Sequence, residues 1–233
     1  MTQRPPGPVE MSPWPSELSA HVVTPGPDPR LHGYSVERDV ARHGGFSELV
    51  LLSLRGTLPN ADECRAFEVA LTFLGPLSIA EALTHAAALA RICGARSSAI
   101  LAVAAATLAE RARHTLARYA PLLAWLDEPS PAAFPVAFAA ACPDERASVE
   151  RLAGLLPRGV ELPALRCDPD RTAALVAVLH HVGLRRPEQI EAVFVLASLA
   201  PALAEAFARD VGSFRDYPME LPRFEYTEAP DGR

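Results

Sequence analysis

From Ser97 to Leu126 the chain reads "SSAILAVAAATLAERARHTLARYAPLLAWL", a run with no glycine in which small and aliphatic residues keep recurring. Strands in globular proteins rarely exceed about ten residues, so an apolar-patterned stretch of this length predicts one long helix, with an irregularity near "RARH". Such a helix limits what the rest of the chain can do, because its apolar face has to be covered by other helices or by a sheet. Aromatic residues make up only 6% of the 233-residue chain, against 49% hydrophobic residues overall. The core is therefore built from Ala, Leu and Val, which suits closely packed helices better than sheets rich in β-branched and aromatic side chains. The expected fold is all-α.

Capping residues and breakers divide the remainder. Residues 1–31 are rich in proline and glycine and read as an extended lead-in. Ser35 caps a short helix, "VERDVARH", that stops at Gly44-Gly45. "FSELVLLSLRG" is an apolar helix ended by Gly56. Asn60 and Glu63 form a capping-box pattern with Pro59 just outside, and Ser78 with Glu81 repeats it ahead of a helix closed by Gly94. "SPAAFPVAFAAAC" is a weaker helix disturbed by Pro135. "DERASVERLAGLL" alternates charge and leucine at helical spacing. A helix begins from Asp170 and stops at Gly183, and another begins with Pro187 in its first turn. The tail "YPMELPRFEYTEAPDGR" returns to extended chain. No stretch has strand periodicity.

Several function classes receive no support. Net charge is −6 with scattered basic residues, unlike the footprint of a nucleic-acid binder. The four cysteines, Cys64, Cys93, Cys142 and Cys167, are far apart and read as small buried hydrophobes rather than as a disulfide or metal set. "MTQRPPGPVEMSPWP" lacks the apolar core of a secretory signal, and "SSAILAVAAATLAE" is too short and too polar to span a bilayer. A cytoplasmic protein without membrane, nucleic acid or metal is expected.

Candidate chemistry is sparse. Adjacent helix residues such as His180 and His181 point about a quarter-turn apart, so they do not make an i, i+4 metal grip. His85 faces an Ala/Leu helix. His114 lies among Arg111, Arg113 and Arg118 on what reads as polar surface. Asp168 and Asp170 precede a helix, where a carboxylate caps backbone N–H groups. "LHGY", at His32-Gly33, reads as a chain turning from its lead-in.

The order of segments nevertheless resembles the citrate synthase family, including its shorter citryl-CoA lyase-like branch. "WPSELSAHVV" resembles that family's W-x-T-x-I-S lead-in. "LHGYSVERDVARHGGFSELVLLSLRGTLPNADECRAF" resembles its R-G-Y-D-x-x-D-L, S-F-x-E-V-x-Y-L-L and G-x-L-P-T-x-x-E blocks, through Gly33, Tyr34, Phe46, Glu48, Gly56, Leu58, Pro59 and Glu63. "RTAALVAVLHHVGL" and "AVFVLASLAPALAE" resemble its closing helices. The resemblance implies a large helical domain (residues 32–126 and 168–233) with a reduced small domain (127–167) behind the lead-in (1–31). It also implies a homodimer, or a heterodimer with a citrate synthase-like paralogue, with "SSAILAVAAATLAE" as the seam. No covalently bound cofactor is implied, and acyl-CoA is the implied substrate or ligand.

That family condenses a keto acid with an acyl-CoA through an aspartate base, two histidines and carboxylate-binding arginines, which stabilise charge as it develops. These groups do not carry over. The first histidine belongs in "FLGPLSIAEA", which has none. The second belongs in "ERARHTLARY", where His114 is not followed by glycines. The segment from Pro129 to Asp168, where the resemblance puts the coenzyme loop, has no histidine. The aspartate aligns near Thr172, with Asp170 the nearest acid, and the late arginine and histidine become Ser198 and Glu205. The implied protein is a catalytically degenerate, non-catalytic or partner subunit. The competing reading is an active acyltransferase or lyase that uses Asp170 as base and His114 or His180 as donor.

Overall fold

The computed structural model describes residues 17, 19–78, 81–128 and 133–212. Trp14, Pro15, Ser16 and Leu18 of the lead-in motif, and the "YPMELPRFEYTE" tail, lie outside the described residues. Contacts divide the chain after Thr57 into two compact units.

In the first unit, β1 (Val23–Thr24), β2 (Arg30–Leu31) and β3 (Tyr34–Ser35) form an antiparallel sheet in that order. The expectation of no strands is corrected here, because two-residue strands leave no periodicity to read. What builds the β2–β3 hairpin is its two-residue loop: His32 and Gly33 both have positive φ, 48° and 87°, as a type I′ turn requires. Ser35 Oγ accepts from Arg38 N at 3.1 Å and donates to Asp28 at 2.6 Å. That hydrogen bond comes first among the causes holding the Asp28 carboxyl below the usual range, ahead of the nearby Arg38 and Arg30. The capped segment is a π-helical turn, Val36–Val40, running into α1 (Ala41–His43). α2 (Phe46–Arg55) begins where Glu48 accepts from Gly45 N at 2.7 Å and ends at Gly56, whose φ is 81°. Leu52 of α2 packs with Leu31 and Val40 in a small core.

The second unit is helical. α3 (Ala61–Leu74) opens with the expected capping box: Glu63 N donates to Asn60 at 2.9 Å and Asn60 N to Glu63 at 2.8 Å. α4 (Ala82–Ile92), α5 (Ser97–Asp127) and α8 (Pro187–Phe207) pack on one another around Ala87, Ile100, Ala104 and Ala206. The alanines let these backbones approach closely. α7 (Arg171–His181) is buried along almost its whole length and packs against α3, α5 and α6 (Pro143–Leu155).

Four sequence expectations change. α4 starts at Ala82 rather than from a Ser78 cap. It is the Ser78 carbonyl that is used, accepting from Glu81 N at 3.1 Å and Thr84 Oγ1 at 3.2 Å. α5 runs unbroken through "RARH": Ala112 is buried, while Arg113 on the outside pairs with Glu110 at 2.7 Å. After Pro135 there is only a 3₁₀ turn, Val136–Phe138, because Ala139 turns extended and bridges Pro169. Of the cysteines only Cys64 is buried; Cys93, Cys142 and Cys167 are exposed. By length and composition α8 passes for a membrane-spanning helix (mean hydropathy 1.7). Only 28% of its apolar window is buried, on the side that packs on α4 and α5.

Candidate functional site

Asp170 is the N-cap of α7. Its Oδ1 accepts from Ala173 N at 2.7 Å, and its Oδ2 accepts from the Tyr119 hydroxyl at 2.7 Å. The short bridge holds this corner from the other side, with Asp170 N donating to Phe138 O at 2.7 Å and Ala140 N to Asp168 O at 2.8 Å. Tyr119 is buried and stacks on Phe138, with ring centroids 4.9 Å apart. Burial first, and then the hydrogen bond to Asp170, push the Tyr119 phenol up to about 12.

His180 sits at the opposite end of α7. Ten residues of helix separate it from Asp170, or about 15 Å along the axis. It is buried, and its Nε2 lies 2.8 Å from Asp127 Oδ1 and 3.0 Å from Arg185 Nη1, while Arg185 also donates to Asp127 at 3.1 Å. One ring nitrogen cannot both donate to the carboxylate and accept from the guanidinium. With Nε2–H donating, Asp127 takes both bonds. Burial lowers the His180 pKa despite the opposing effect of Asp127, and the His180 hydrogen bond leads the causes lowering that of Asp127. The cluster ties the end of α5 to the α7–α8 turn and lies beside a cavity of about 280 Å³ lined by Trp125, Leu162 and His181. His114 is exposed on α5. The structure brings no two of Asp170, His114 and His180 into contact. Among the described residues, no group of three His, Cys, Asp or Glu is placed to hold a metal ion.

A second cavity, also about 280 Å³, is assembled from four parts of the chain. The end of α3 and the loop after it give Phe73, Leu77 and Glu81. α5 gives Arg111 and Thr115, the first turn of α7 gives Arg171 and Thr172, and α8 gives Phe194 and Ser198. Arg111 pairs with Glu81 at 2.7 Å. Arg171 donates to Phe73 O and lies over the Phe73 ring, 5.7 Å from its centroid. Ser198 is buried and donates to Leu74 O at 3.1 Å.

These four parts include segments in which the resemblance looks for the family's groups, "FLGPLSIAEA", "ERARHTLARY", the neighbourhood of Thr172, and Ser198, whereas the described residues from 133 to 168 and Glu205 do not line the cavity. The four parts converge on one cavity, but with Glu81, Arg111, Thr172 and Ser198 lining it. No histidine lines it among the described residues. Sequence reasoning missed Arg111, Arg171 and Glu81 as a group. One signal was readable: Arg171 puts a cation in the first turn of a helix, against the macrodipole, a placement that needs a tertiary reason.

The architecture is a citrate-synthase-like all-α fold. It matches the solved structure of citryl-CoA lyase from Hydrogenobacter thermophilus with a TM-score of 0.60 over 93% of this chain and 96% of that one, at 16% sequence identity. At that identity the likeness is one of fold. No protein-family model matches the chain, and no curated protein matches it in sequence.

Proposed function

We propose that the chain is a citrate-synthase-like protein whose cavity binds a small ligand without condensing it, and that it works as a non-catalytic subunit. The observation that supports this is the lining of the cavity. Enolising a thioester needs a base at the α-carbon and a donor to the enolate oxygen. Among the described residues the one carboxylate lining the cavity, Glu81, is held by Arg111, and the resemblance puts Thr172 and Ser198 near the positions of an aspartate and an arginine. Asp170 is engaged by Tyr119 and by the α7 backbone rather than lining the cavity. A cavity of about 280 Å³ lies just below the usual range of ligand sites, about 300–1,000 Å³, and suits a small acid better than a coenzyme.

A subunit role is supported by α5. Ala102, Ala106 and Ala109 share one exposed face, and Leu101 beside it is 44% exposed. The test is thiol release from acetyl-CoA or propionyl-CoA with oxaloacetate. No release above the enzyme-free rate is expected. Turnover that disappears in an Asp170→Asn variant would overturn the proposal in favour of an active transferase or lyase.

A further inference from the structure

The Glu81–Arg111 pair gives the cavity a chemistry that a plain acid pocket would lack. Two guanidiniums and one carboxylate face the same small space. A dicarboxylate that engages Arg111 as well as Arg171 has to displace Glu81 and then sit against that carboxylate, and like charges at such range repel. A ligand carrying both signs has no such conflict. Its carboxylate takes the place of Glu81 on Arg111, and its ammonium takes the place of Arg111 on Glu81, so the internal ion pair is exchanged for two external ones.

We infer that this cavity takes a free α-amino acid with an apolar side chain. Arg171 is pinned to Phe73 O and stacked on the Phe73 ring. A guanidinium has five N–H donors, so the pinned group still has donors to offer a carboxylate, at a fixed place. The Ser198 hydroxyl donates to Leu74 O, which leaves its lone pairs free to accept from an ammonium. Leu108, Leu175 and Phe194 supply the apolar wall for the side chain, and the cavity volume suits a single amino acid. The inference rests on the reading of a cavity that binds without condensing, and it names the ligand class.

The test is isothermal titration of the full chain with L-leucine, 4-methylpentanoate, 3-methylbutylamine and oxaloacetate. L-leucine binds, and the acid without an amine and the amine without an acid each bind at least about tenfold more weakly, the loss expected for one charge-assisted hydrogen bond. In Glu81→Gln the gap between L-leucine and 4-methylpentanoate closes, and in Glu81→Asp it persists. Circular dichroism of both variants shows that the helices are retained. Equal binding of L-leucine and 4-methylpentanoate, tighter binding of oxaloacetate, or no heat from L-leucine with folded protein overturns the inference. Thiol release measured on the same preparation separates the outcomes: turnover defeats the non-condensing reading, whereas absent turnover with absent amino-acid binding defeats only the ligand assignment.

Discussion

Tyr119 and Asp170 show how a side chain with an evident catalytic identity can be committed to structure. Asp170 closes the first turn of α7 and accepts a hydrogen bond from a buried phenol, so both of its oxygens are occupied. Replacing Tyr119 with Phe leaves that carboxylate oxygen unpaired beside the Phe138 ring and is expected to cost about 1–2 kcal/mol at neutral pH, readable by urea unfolding. The folded state also holds the phenol proton more tightly than the unfolded chain does, with a pKa of about 12 against an ordinary 10. This contribution is complete below about pH 10 and is lost as pH rises toward 12. It amounts to about 2–3 kcal/mol, and Tyr119→Phe removes the loss from the alkaline unfolding profile. The His180 cluster works in the opposite direction. The pKa values of His180 and Asp127 both lie below their ordinary 6.5 and 3.8, so the stabilisation is present at neutral pH and declines as acid protonates them. The thermal midpoint should fall between pH 7.5 and pH 5, and His180→Asn should flatten the upper part of that decline. An unchanged slope in the variant would assign the acid sensitivity to other groups.

Helix ends were the most legible features of this sequence, because caps and breakers act over three or four residues. The Asn60–Glu63 box, the Asp170 cap, Pro187 in a first turn, and Gly56, Gly94 and Gly183 with positive φ all fall where local chemistry puts them. Asn60→Ala removes the side-chain acceptor of Glu63 N and is expected to cost about 1 kcal/mol. Gly183→Ala forces a Cβ into a conformation with φ of 92°, which should destabilise by about 1 kcal/mol or more. Both are read from shifts in denaturation midpoint at constant slope. The start of α4 was misread for an equally local reason. Ser-x-x-Glu satisfies the capping pattern at Ser78, but the chain uses the Ser78 carbonyl instead and begins the helix after Glu81, leaving that carboxylate to meet Arg111.

At the scale of the whole molecule, α4, α5 and α8 share a core built from alanine, leucine and isoleucine, and the proposed subunit role rests on the face of α5 outside it. The exposed alanine face of α5 continues that pattern outward. A second copy, or a related subunit, covering it makes a dimer the expected species in native mass spectrometry. Ala106→Glu, which puts a charge on that face while leaving the buried Ala104 untouched, should shift the population to monomer. A wild-type monomer at micromolar concentration would remove the subunit role.

By itself the sequence determined the helical class and most helix ends, since each is set by local spacing or by the presence of a residue type. It also carried a segment order whose implied fold the structure has. Only the tertiary structure decided which of the described side chains line the cavity. Glu81, Arg111, Arg171 and Ser198 come from four separate elements and meet only when α3, α5, α7 and α8 pack. The same packing turned Asp170 toward Tyr119 and brought His180 against Asp127 and Arg185. Periodicity along one helix says which face is buried, but not which distant side chain will lie against it.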